Sequence, residues 1–304
     1  MRVVFMGTPD FAVPTLERLI EKHEVVGVFT QPDKPKGRHM TLTPSDVKVC
    51  ATEHNIPVYQ PESLKHGEAM PILNDLQPDV IVVAAYGQIL KSDVLDFPKY
   101  GCINAHGSIL PKYRGAAPIQ RAVIDGEQYA GVTSMQMGEG LDTGDMLIIK
   151  KVEIGENETA GELFDRLAAL AADVIEETLD NIESIVPQKQ DDNLSSYARM
   201  LSKDECPIDW TRDAQTIHNQ IRGLNPWPTA TTEQNSVIFK VHMSHLTSRT
   251  TDKAPGTITV DKGQLFVATG DGKELEITEL QPQGGKRMPV ADYLRGHTLE
   301  GVFE

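Results

Sequence analysis

The segment that follows the apolar run Gly101-Cys102-Ile103 holds side chains that could do chemistry. Asn104 and His106 stand two residues apart where that run ends. In an extended strand, side chains two residues apart point to the same face, so both could act on one substrate atom. An amide beside an imidazole suits a developing oxyanion, which preorganised hydrogen bonds stabilise better than water does. The pair therefore indicates a site for an anionic transition state.

A carboxylate on a glycine-bracketed loop could complete this pair. Asp142 lies between Gly140 and Gly144, and a nearby carboxylate would orient His106 and favour its cationic form. A histidine after a strand is more often structural than catalytic, so the prediction depends on Asn104, His106 and Asp142 acting together. No serine or cysteine nucleophile pairs obviously with the histidine. The three residues together indicate acyl-type transfer through a tetrahedral intermediate.

The first half of the chain alternates short apolar runs with helical patterns, which is typical of a mostly parallel sheet wrapped by helices. The apolar runs lie at residues 2–6, 25–30, 80–85 and 102–105. Residues 11–22, between the first two runs, have helical spacing. Open α/β sheets bind ligands at the carboxyl ends of their strands, where Asn104 and His106 would lie. The loop after the first run lacks the G-x-G-x-x-G pattern, which disfavours a nicotinamide dehydrogenase.

The length of 304 residues predicts two domains. We expect an α/β catalytic domain over residues 1–187, a polar linker over 188–205 and a smaller β-barrel domain over 206–304.

Periodic patterns support that division. An amphipathic segment over residues 159–183 would be the last helix of the first domain, with Thr159 and Glu162 forming a capping box. A short helix at residues 214–222 precedes runs that alternate like strands and are separated by Gly and Asp turns. These runs lie at residues 237–246, 256–260, 264–268 and 274–280. Many short strands of this kind suggest a small barrel.

The composition, with 39% hydrophobic and 24% charged residues, is that of a globular protein. A net charge of −15 argues against a general nucleic-acid coat, although it leaves room for a local basic patch. Three isolated cysteines fit a reducing cytoplasm. We expect a cytoplasmic protein with no signal peptide, no membrane span and no metal site.

Motifs spread over nearly the whole chain resemble one family, the 10-formyl-tetrahydrofolate-dependent formyltransferases. They are Gly7-Thr8-Pro9-Asp10-Phe11-Ala12, Gln31-Pro32-Asp33-Lys34-Pro35, the segment from Asn104 to Gly115, Gly140-Leu141-Asp142-Thr143-Gly144-Asp145, Ile221-Arg222-Gly223-Leu224-Asn225-Pro226, Leu280-Gln281-Pro282 and Gly285-Lys286-Arg287-Met288. Any one of these motifs would be weak, whereas together they are highly specific. The resemblance implies a mostly parallel, Rossmann-like formyltransferase sheet followed by an OB-like barrel.

The resemblance also implies a reaction without a metal, in which the formyl group of 10-formyl-tetrahydrofolate passes to the α-amino group of methionine on initiator tRNA. Matched to the family's motif, Asn104 would donate a hydrogen bond to the oxyanion. His106 would donate to it or help to shuttle the proton, and Asp142 would hold His106 and assist deprotonation of the amine. The family's folate-binding motif corresponds to Ser108, Ile109, Leu110 and Pro111, which would form an apolar wall and backbone contacts beside the reduced pterin.

Two basic segments are candidate tRNA contacts. The first contains Lys36 and Arg38, in a loop that in the resembling family reaches the acceptor stem. Residues 40–42 are Met, Thr and Leu, at positions where family members often carry lysines. The second is the pair Lys286 and Arg287, which could contact phosphates without reading sequence. The alternative for both segments is an ordinary solvated surface.

Three other functions fit parts of the sequence. A folate-dependent formyltransferase acting on a nucleotide-linked amino sugar would use the same Asn-His-Asp set, and a formyl-tetrahydrofolate hydrolase would use water as acceptor. A nonenzymatic nucleic-acid-binding protein with a barrel module is disfavoured by the acidic balance and the intact catalytic set. For partners, we expect initiator methionyl-tRNA and the folate, no membrane, and a monomeric protein.

Overall fold

The computed structural model describes residues 1–36 and 40–304. The chain divides into two compact units, each assembled from three segments. The first unit comprises Met1–Gly115, Ala130–Val152 and Phe164–Ala198. The second comprises Ala116–Tyr129, Glu153–Leu163 and Arg199–Glu304.

The described residues form strands and helices that we number in chain order. The strands are β1 (Arg2–Gly7), β2 (Glu24–Phe29), β3 (Lys34–Lys36), β4 (Thr41–Thr43), β5 (Val58–Tyr59), β6 (Val80–Ala84), β7 (Cys102–His106), β8 (Arg114–Gly115), β9 (Tyr129–Gln136), β10 (Met146–Glu153), β11 (Tyr197–Ala198), β12 (Ala230–Gln234), β13 (Val237–His245), β14 (Ile258–Asp261), β15 (Gln264–Ala268), β16 (Glu274–Pro282) and β17 (Met288–Pro289). The helices are α1 (Val13–Lys22), α2 (Asp46–Glu53), α3 (Met70–Leu76), α4 (Ser92–Leu95), α5 (Pro118–Ile124), α6 (Ala160–Asp180), α7 (Ala214–Gly223) and α8 (Val290–Leu294).

The first unit is built on a seven-stranded sheet in the order β10-β9-β7-β6-β1-β2-β5. Within the run β7-β6-β1-β2-β5 every pair of neighbouring strands is parallel, whereas β9 runs antiparallel to β7. The sheet is therefore mostly parallel, as the sequence predicts, and the four predicted strands are confirmed as β1, β2, β6 and β7. The other three strands of this sheet, β5, β9 and β10, have no counterpart among the predicted strands.

Continuous apolar runs explain the central strands of this sheet. All residues of β6 and β7 are buried, as is β1 from Val3 onward. Strands of a parallel sheet covered on both faces need apolar side chains at successive positions. At the end of β1, a Cβ on Gly7 would lie 2.9 Å from the carbonyl oxygen of Ala84. Glycine therefore allows the loop after β1 to pass close to the neighbouring strand.

The second unit contains a six-stranded sheet in the order β12-β13-β16-β15-β14, with β17 paired to β16. All of these pairings are antiparallel. Helix α7 contacts both β13 and α5, and the core includes Trp210, Phe239 and Phe303. The predicted helix and four predicted strands of this part are confirmed as α7, β13, β14, β15 and β16.

Two further local predictions can be compared with the described residues. Helix α6 begins with the predicted capping box, because the Glu162 N–H donates to Thr159 Oγ1 at 3.2 Å and the Thr159 N–H donates to Glu162 Oε2 at 2.9 Å. Lys36 of the predicted basic loop ends β3, which pairs antiparallel with β4. No helix in residues 1–36 or 40–304 has the length and apolar character needed to cross a membrane.

Candidate active site

Asn104 and His106 lie at the carboxyl end of β7, between β6 and β9 in the sheet. Both side chains belong to buried residues, with 8% of Asn104 and 6% of His106 exposed. Their spacing within one strand puts them on the same face, as predicted. A buried strand thus fixes the backbone of two polar residues whose side chains share one side of the sheet.

His106 is held between two oxygen atoms from different segments. Its Nε2 lies 2.8 Å from the carbonyl oxygen of Tyr113. Because a carbonyl oxygen can only accept, Nε2 carries a hydrogen and donates it. Nδ1 lies 3.7 Å from Asp142 Oδ2. The hydrogen bond to the Tyr113 carbonyl therefore fixes the ring, and the Asp142 carboxylate faces Nδ1 beyond hydrogen-bond distance, so the predicted approach of His106 and Asp142 is present.

Asp142 sits on a tightly constrained loop. Its φ of 52° lies in the left-handed region, where a non-glycine residue is strained and persists only when its surroundings require it. The Gly115 N–H donates to Asp142 Oδ2 at 2.8 Å. A Cβ on Gly144 would lie 1.7 Å from the carbonyl oxygen of Gln136, so only glycine fits there. This loop geometry directs the carboxylate toward His106.

The side-chain amide of Asn104 has no hydrogen-bond partner among the described residues, although the residue is only 8% exposed. The Asn104 amide is not among the side-chain polar atoms that are both fully enclosed and without a partner, so it is reached from solvent at the end of the strand. Its donor and acceptor atoms are not committed to a neighbouring protein group. Asn104 is therefore available to a bound molecule.

Hydrogen bonds that involve side-chain hydroxyls hold the loop after His106 in place. Ser108 Oγ donates to the Lys112 carbonyl at 2.7 Å, and Thr133 Oγ1 donates to the Ser108 carbonyl at 2.7 Å. The Leu110 N–H donates to Thr133 Oγ1 at 3.1 Å. Leu110 is buried against two methionines, and the peptide bond to Pro111 is cis. Ile109 and Pro111 remain partly exposed on this fixed loop.

Loops from three neighbouring strands also meet at this edge of the sheet. The carbonyl oxygen of Tyr86, after β6, accepts from Thr8 Oγ1 at 3.0 Å and from Gln31 Nε2 at 3.2 Å. Burial raises the pKa of the Tyr86 phenol to about 12, so its hydroxyl stays protonated in the physiological range. The segments after β1, β2 and β6 are thus joined at the end of the sheet where open α/β folds bind ligands.

The predicted tRNA contacts belong to other segments of the sequence. Lys36 is the last residue of β3, and Arg38 lies outside the described residues. Lys286 and Arg287 are exposed between β16 and β17 in the second unit. Arg287 Nε donates to Glu279 Oε2 at 2.7 Å, so that guanidinium already has an acidic partner.

Sequence reasoning missed several residues that shape the site. Tyr113 supplies the carbonyl that His106 contacts, and Gly115 supplies the amide that Asp142 accepts from. Gln190 donates to the carbonyl oxygens of Asp142 and Gly144. Tyr113 and Gly115 fall inside the Asn104 motif, whereas nothing in the sequence singles out Gln190. Within the part of the chain that the structure describes, no three His, Cys, Asp or Glu side chains are grouped so that they could hold a metal ion.

Comparison with models of known protein families shows which family has this fold and this site. A model described as formyl transferase matches residues 1–179, and one described as formyl transferase, C-terminal domain, matches residues 200–298. The chain belongs to the formyl transferase family, which confirms the resemblance seen in the sequence.

Particular relatives narrow this class further. The chain is 50% identical over 304 residues to the methionyl-tRNA formyltransferase of Clostridium novyi (strain NT), covering 99% of this chain and 98% of that protein. It is 50% identical over 305 residues to the methionyl-tRNA formyltransferase of Hydrogenovibrio crunogenus, covering 99% of this chain and 97% of that protein.

Solved structures share the fold at much lower identity. An N-formyltransferase from Helicobacter canadensis, in complex with folinic acid and dTDP-3-aminofucose, matches with a TM-score of 0.69 and 20% identity, covering 91% of this chain and 98% of that one. HypX from Aquifex aeolicus, in complex with tetrahydrofolic acid, matches with a TM-score of 0.63 and 15% identity, covering 97% of this chain and 47% of that one.

Proposed function

We propose that this protein transfers the formyl group of 10-formyl-tetrahydrofolate to the α-amino group of methionine on initiator tRNA, giving formyl-methionyl-tRNA for translation initiation. The observation that carries this proposal is identity of about 50% over 99% of the chain to enzymes named methionyl-tRNA formyltransferase. The sugar-modifying neighbours are only 20% identical, which makes the amino-sugar acceptor the weaker alternative.

The reaction needs a polar, preorganised site. The amine nitrogen attacks the formyl carbon, a new C–N bond forms, and the carbonyl oxygen becomes an oxyanion. The intermediate then collapses as the bond to the folate nitrogen breaks; the attacking amine loses a proton and the leaving nitrogen gains one. Hydrogen bonds aimed at the oxyanion lower the barrier because their dipoles need no reorganisation.

Three residues of the first unit carry these steps in our proposal. Asn104 donates to the oxyanion, and its lack of another hydrogen-bond partner in the described chain supports this role. His106 also donates to it or passes the proton toward the leaving nitrogen, and for either role one ring nitrogen turns from its present oxygen neighbour to the substrate. Asp142, 3.7 Å from the imidazole, holds His106 and assists deprotonation of the amine through water.

The folate is the donor substrate, and we assign its pterin to the wall formed by Ser108, Ile109, Leu110 and Pro111. The fixed loop supports this assignment, because a rigid apolar wall with a few polar groups binds a flat heterocycle with little loss of conformational entropy. Asn104, at the end of the adjoining strand, offers a donor in the same region.

Binding of the tRNA is assigned to four basic residues, Lys36, Arg38, Lys286 and Arg287. The support for this assignment is their sequence position together with the exposure of Lys286 and Arg287 on a turn. In a chain of net charge −15, a polyanion needs such local patches.

For the whole protein, we infer a catalytic domain over residues 1–187, a linker over 188–205 and an OB-like barrel over 206–304, acting as a cytoplasmic monomer. The antiparallel order of the second sheet supports the barrel. Cys50, Cys102 and Cys206 are unpaired and buried, which suits a reducing compartment.

Transfer of labelled formyl from 10-formyl-tetrahydrofolate tests the acceptor directly. The assay would offer methionine charged on initiator tRNA together with free methionine, a nucleotide-linked amino sugar and water. We expect label on the charged tRNA. Label on the sugar, or release of formate alone, would leave a formyltransferase fold with a different acceptor and would overturn the proposal.

A further inference from the structure

Gln190 contacts the Asp142 loop with every polar atom of its side chain satisfied. Its Nε2 donates to the carbonyl oxygen of Asp142 at 2.8 Å and to that of Gly144 at 2.7 Å. Its Oε1 accepts from Arg114 Nε at 3.0 Å. A flipped amide would bring its oxygen against two carbonyl oxygens and its nitrogen against a guanidinium, so the partners fix its orientation.

The segment that carries Gln190 is bound to the surroundings of His106 at several points. We call residues Gln188–Ala198 the strap. At one end, Gln188 and Met146 exchange two backbone hydrogen bonds of 2.8 Å. At the other, Ser196 accepts from the Tyr113 N–H through its hydroxyl and from the Arg114 N–H through its carbonyl, each at 2.9 Å.

The strap therefore touches both segments that orient the imidazole. One segment contains Tyr113, whose carbonyl faces Nε2 of His106. The other contains Asp142, whose carboxylate faces Nδ1. The side chain of Gln190 joins them, because it contacts the Asp142 loop and Arg114 at the same time.

We propose that Gln190 is a positioning residue for formyl transfer that acts through Asp142. This inference rests on the proposed function, in which Asp142 holds His106. Asp142 has a left-handed φ, and the glycines that flank its loop allow many other backbone conformations. Two hydrogen bonds to carbonyl oxygens of that loop restrict it to the conformation in which the carboxylate faces the histidine.

Loss of these hydrogen bonds should affect catalysis more than substrate binding. Gln190 contacts neither Asn104 nor the loop Ser108–Pro111 through any hydrogen bond of the described residues. A displacement of about 1 Å at a catalytic group can lower the rate roughly a hundred-fold. We therefore expect a change in kcat with KM for both substrates nearly unchanged.

The test compares Gln190→Ala, Gln190→Glu and the control Gln188→Ala under saturating 10-formyl-tetrahydrofolate and charged initiator tRNA. Gln190→Ala should lower kcat about ten- to a hundred-fold. Gln190→Glu should be no better, because a carboxylate of the same size cannot donate to two carbonyl oxygens. Gln188→Ala should keep the parent kcat, since the bonds to Met146 come from the backbone of Gln188 and its side chain is exposed.

A double-mutant cycle with Asp142→Asn separates positioning from a general structural effect. We expect Gln190→Ala to lower kcat no further once Asp142→Asn is present, with the melting temperatures and folate affinities of the single variants close to the parent's. Multiplicative losses in kcat would overturn the inference, as would a parent-like kcat for Gln190→Ala beside an impaired Asp142→Asn. A fully active Asp142→Asn would instead refute the catalytic role assigned to Asp142, which is a failure of the proposed function.

Discussion

The side-chain amide of Asn104 has no hydrogen-bond partner among the described residues, and it stands at the end of a central strand on a residue that is only 8% exposed. In a largely enclosed position, the hydrogen bond that a substrate oxygen accepts from the amide is stronger than the same bond in bulk water. If the gain is largest when that oxygen becomes an anion, Asn104 contributes mainly to the transition state.

Replacing Asn104 with Ala should therefore lower kcat by about 10²–10³-fold, because one oxyanion donor is lost. The affinity for the folate should change much less. Steady-state transfer of labelled formyl at saturating substrates measures kcat, and equilibrium binding of the folate measures its affinity. Asn181→Ala, at an exposed asparagine beyond α6, provides the control. A kcat within a few-fold of the parent value would contradict the role.

The sequence identifies part of this site and misses part for a physical reason. Asn104 and His106 are predictable because strand periodicity puts them on one face, and Asp142 because glycines bracket it. Gln190 is not predictable, since a glutamine in a polar stretch resembles any solvated residue until the chain folds. Its contacts depend on a loop 48 residues earlier in the chain.

Some strands of the first sheet can be predicted from the sequence more easily than others. Strands β1, β2, β6 and β7 are apolar runs and were predicted. Strand β9 was missed because its buried face includes Thr133 and Ser134, which read as loop residues. Both hydroxyls form hydrogen bonds. Thr133 Oγ1 donates to the Ser108 carbonyl in the loop after β7, and Ser134 Oγ lies 2.7 Å from Thr178 Oγ1. Buried hydroxyls that find partners are compatible with a strand interior.

The capping box at the start of α6 gives a stability prediction at this scale. Thr159→Ala removes the side-chain acceptor for the Glu162 N–H and should lower the free energy of unfolding by about 1 kcal/mol. Thr159→Ser keeps the hydroxyl and should therefore retain most of this free energy of unfolding. Urea denaturation of the three proteins measures the difference. Equal losses for Ala and Ser would show that the hydroxyl is not what stabilises the helix end.

An ion pair between α5 and the turn Lys203–Glu205 predicts a pH dependence. Hydrogen bonds from Arg121 lower the pKa of Glu205 from 4.5 to about 2, and both side chains are largely buried. A carboxyl with a lowered folded-state pKa stabilises the protein above its unfolded pKa, and this stabilisation is lost as the pH falls through the folded value.

Glu205→Gln should therefore be less stable than the parent at neutral pH. The difference should shrink below pH 4.5 and vanish near pH 2. Denaturant unfolding across this pH range measures the difference in stability between the variant and the parent. Glu300→Gln, at an exposed position, is the control. A stability difference that stays constant with pH would contradict the assignment.

At the scale of the whole molecule, an acidic protein has to bind a polyanion. The net charge of −15 opposes nonspecific association, so basic residues placed for the tRNA should carry a large share of its affinity. Arg38→Ala should raise KM for charged initiator tRNA while leaving KM for the folate nearly unchanged.

The salt dependence gives this prediction a second readout. Loss of one phosphate contact should reduce the slope of log affinity against log salt by about 1. Lys65→Ala removes an exposed lysine outside the predicted contacts. This variant should leave both KM for the charged tRNA and the salt slope of the affinity unchanged. Equal effects of Arg38→Ala on tRNA and folate would count against a tRNA-specific role.

Asn104, His106 and Asp142 should together formylate methionyl-tRNA. The most direct measurement is single-turnover formyl transfer to charged initiator tRNA by the parent protein, by His106→Ala and by the exposed-histidine control His66→Ala. We expect rapid transfer by the parent and the control, and a loss of about a hundred-fold or more in His106→Ala with folate binding retained. Parent-like transfer by folded His106→Ala would contradict the account.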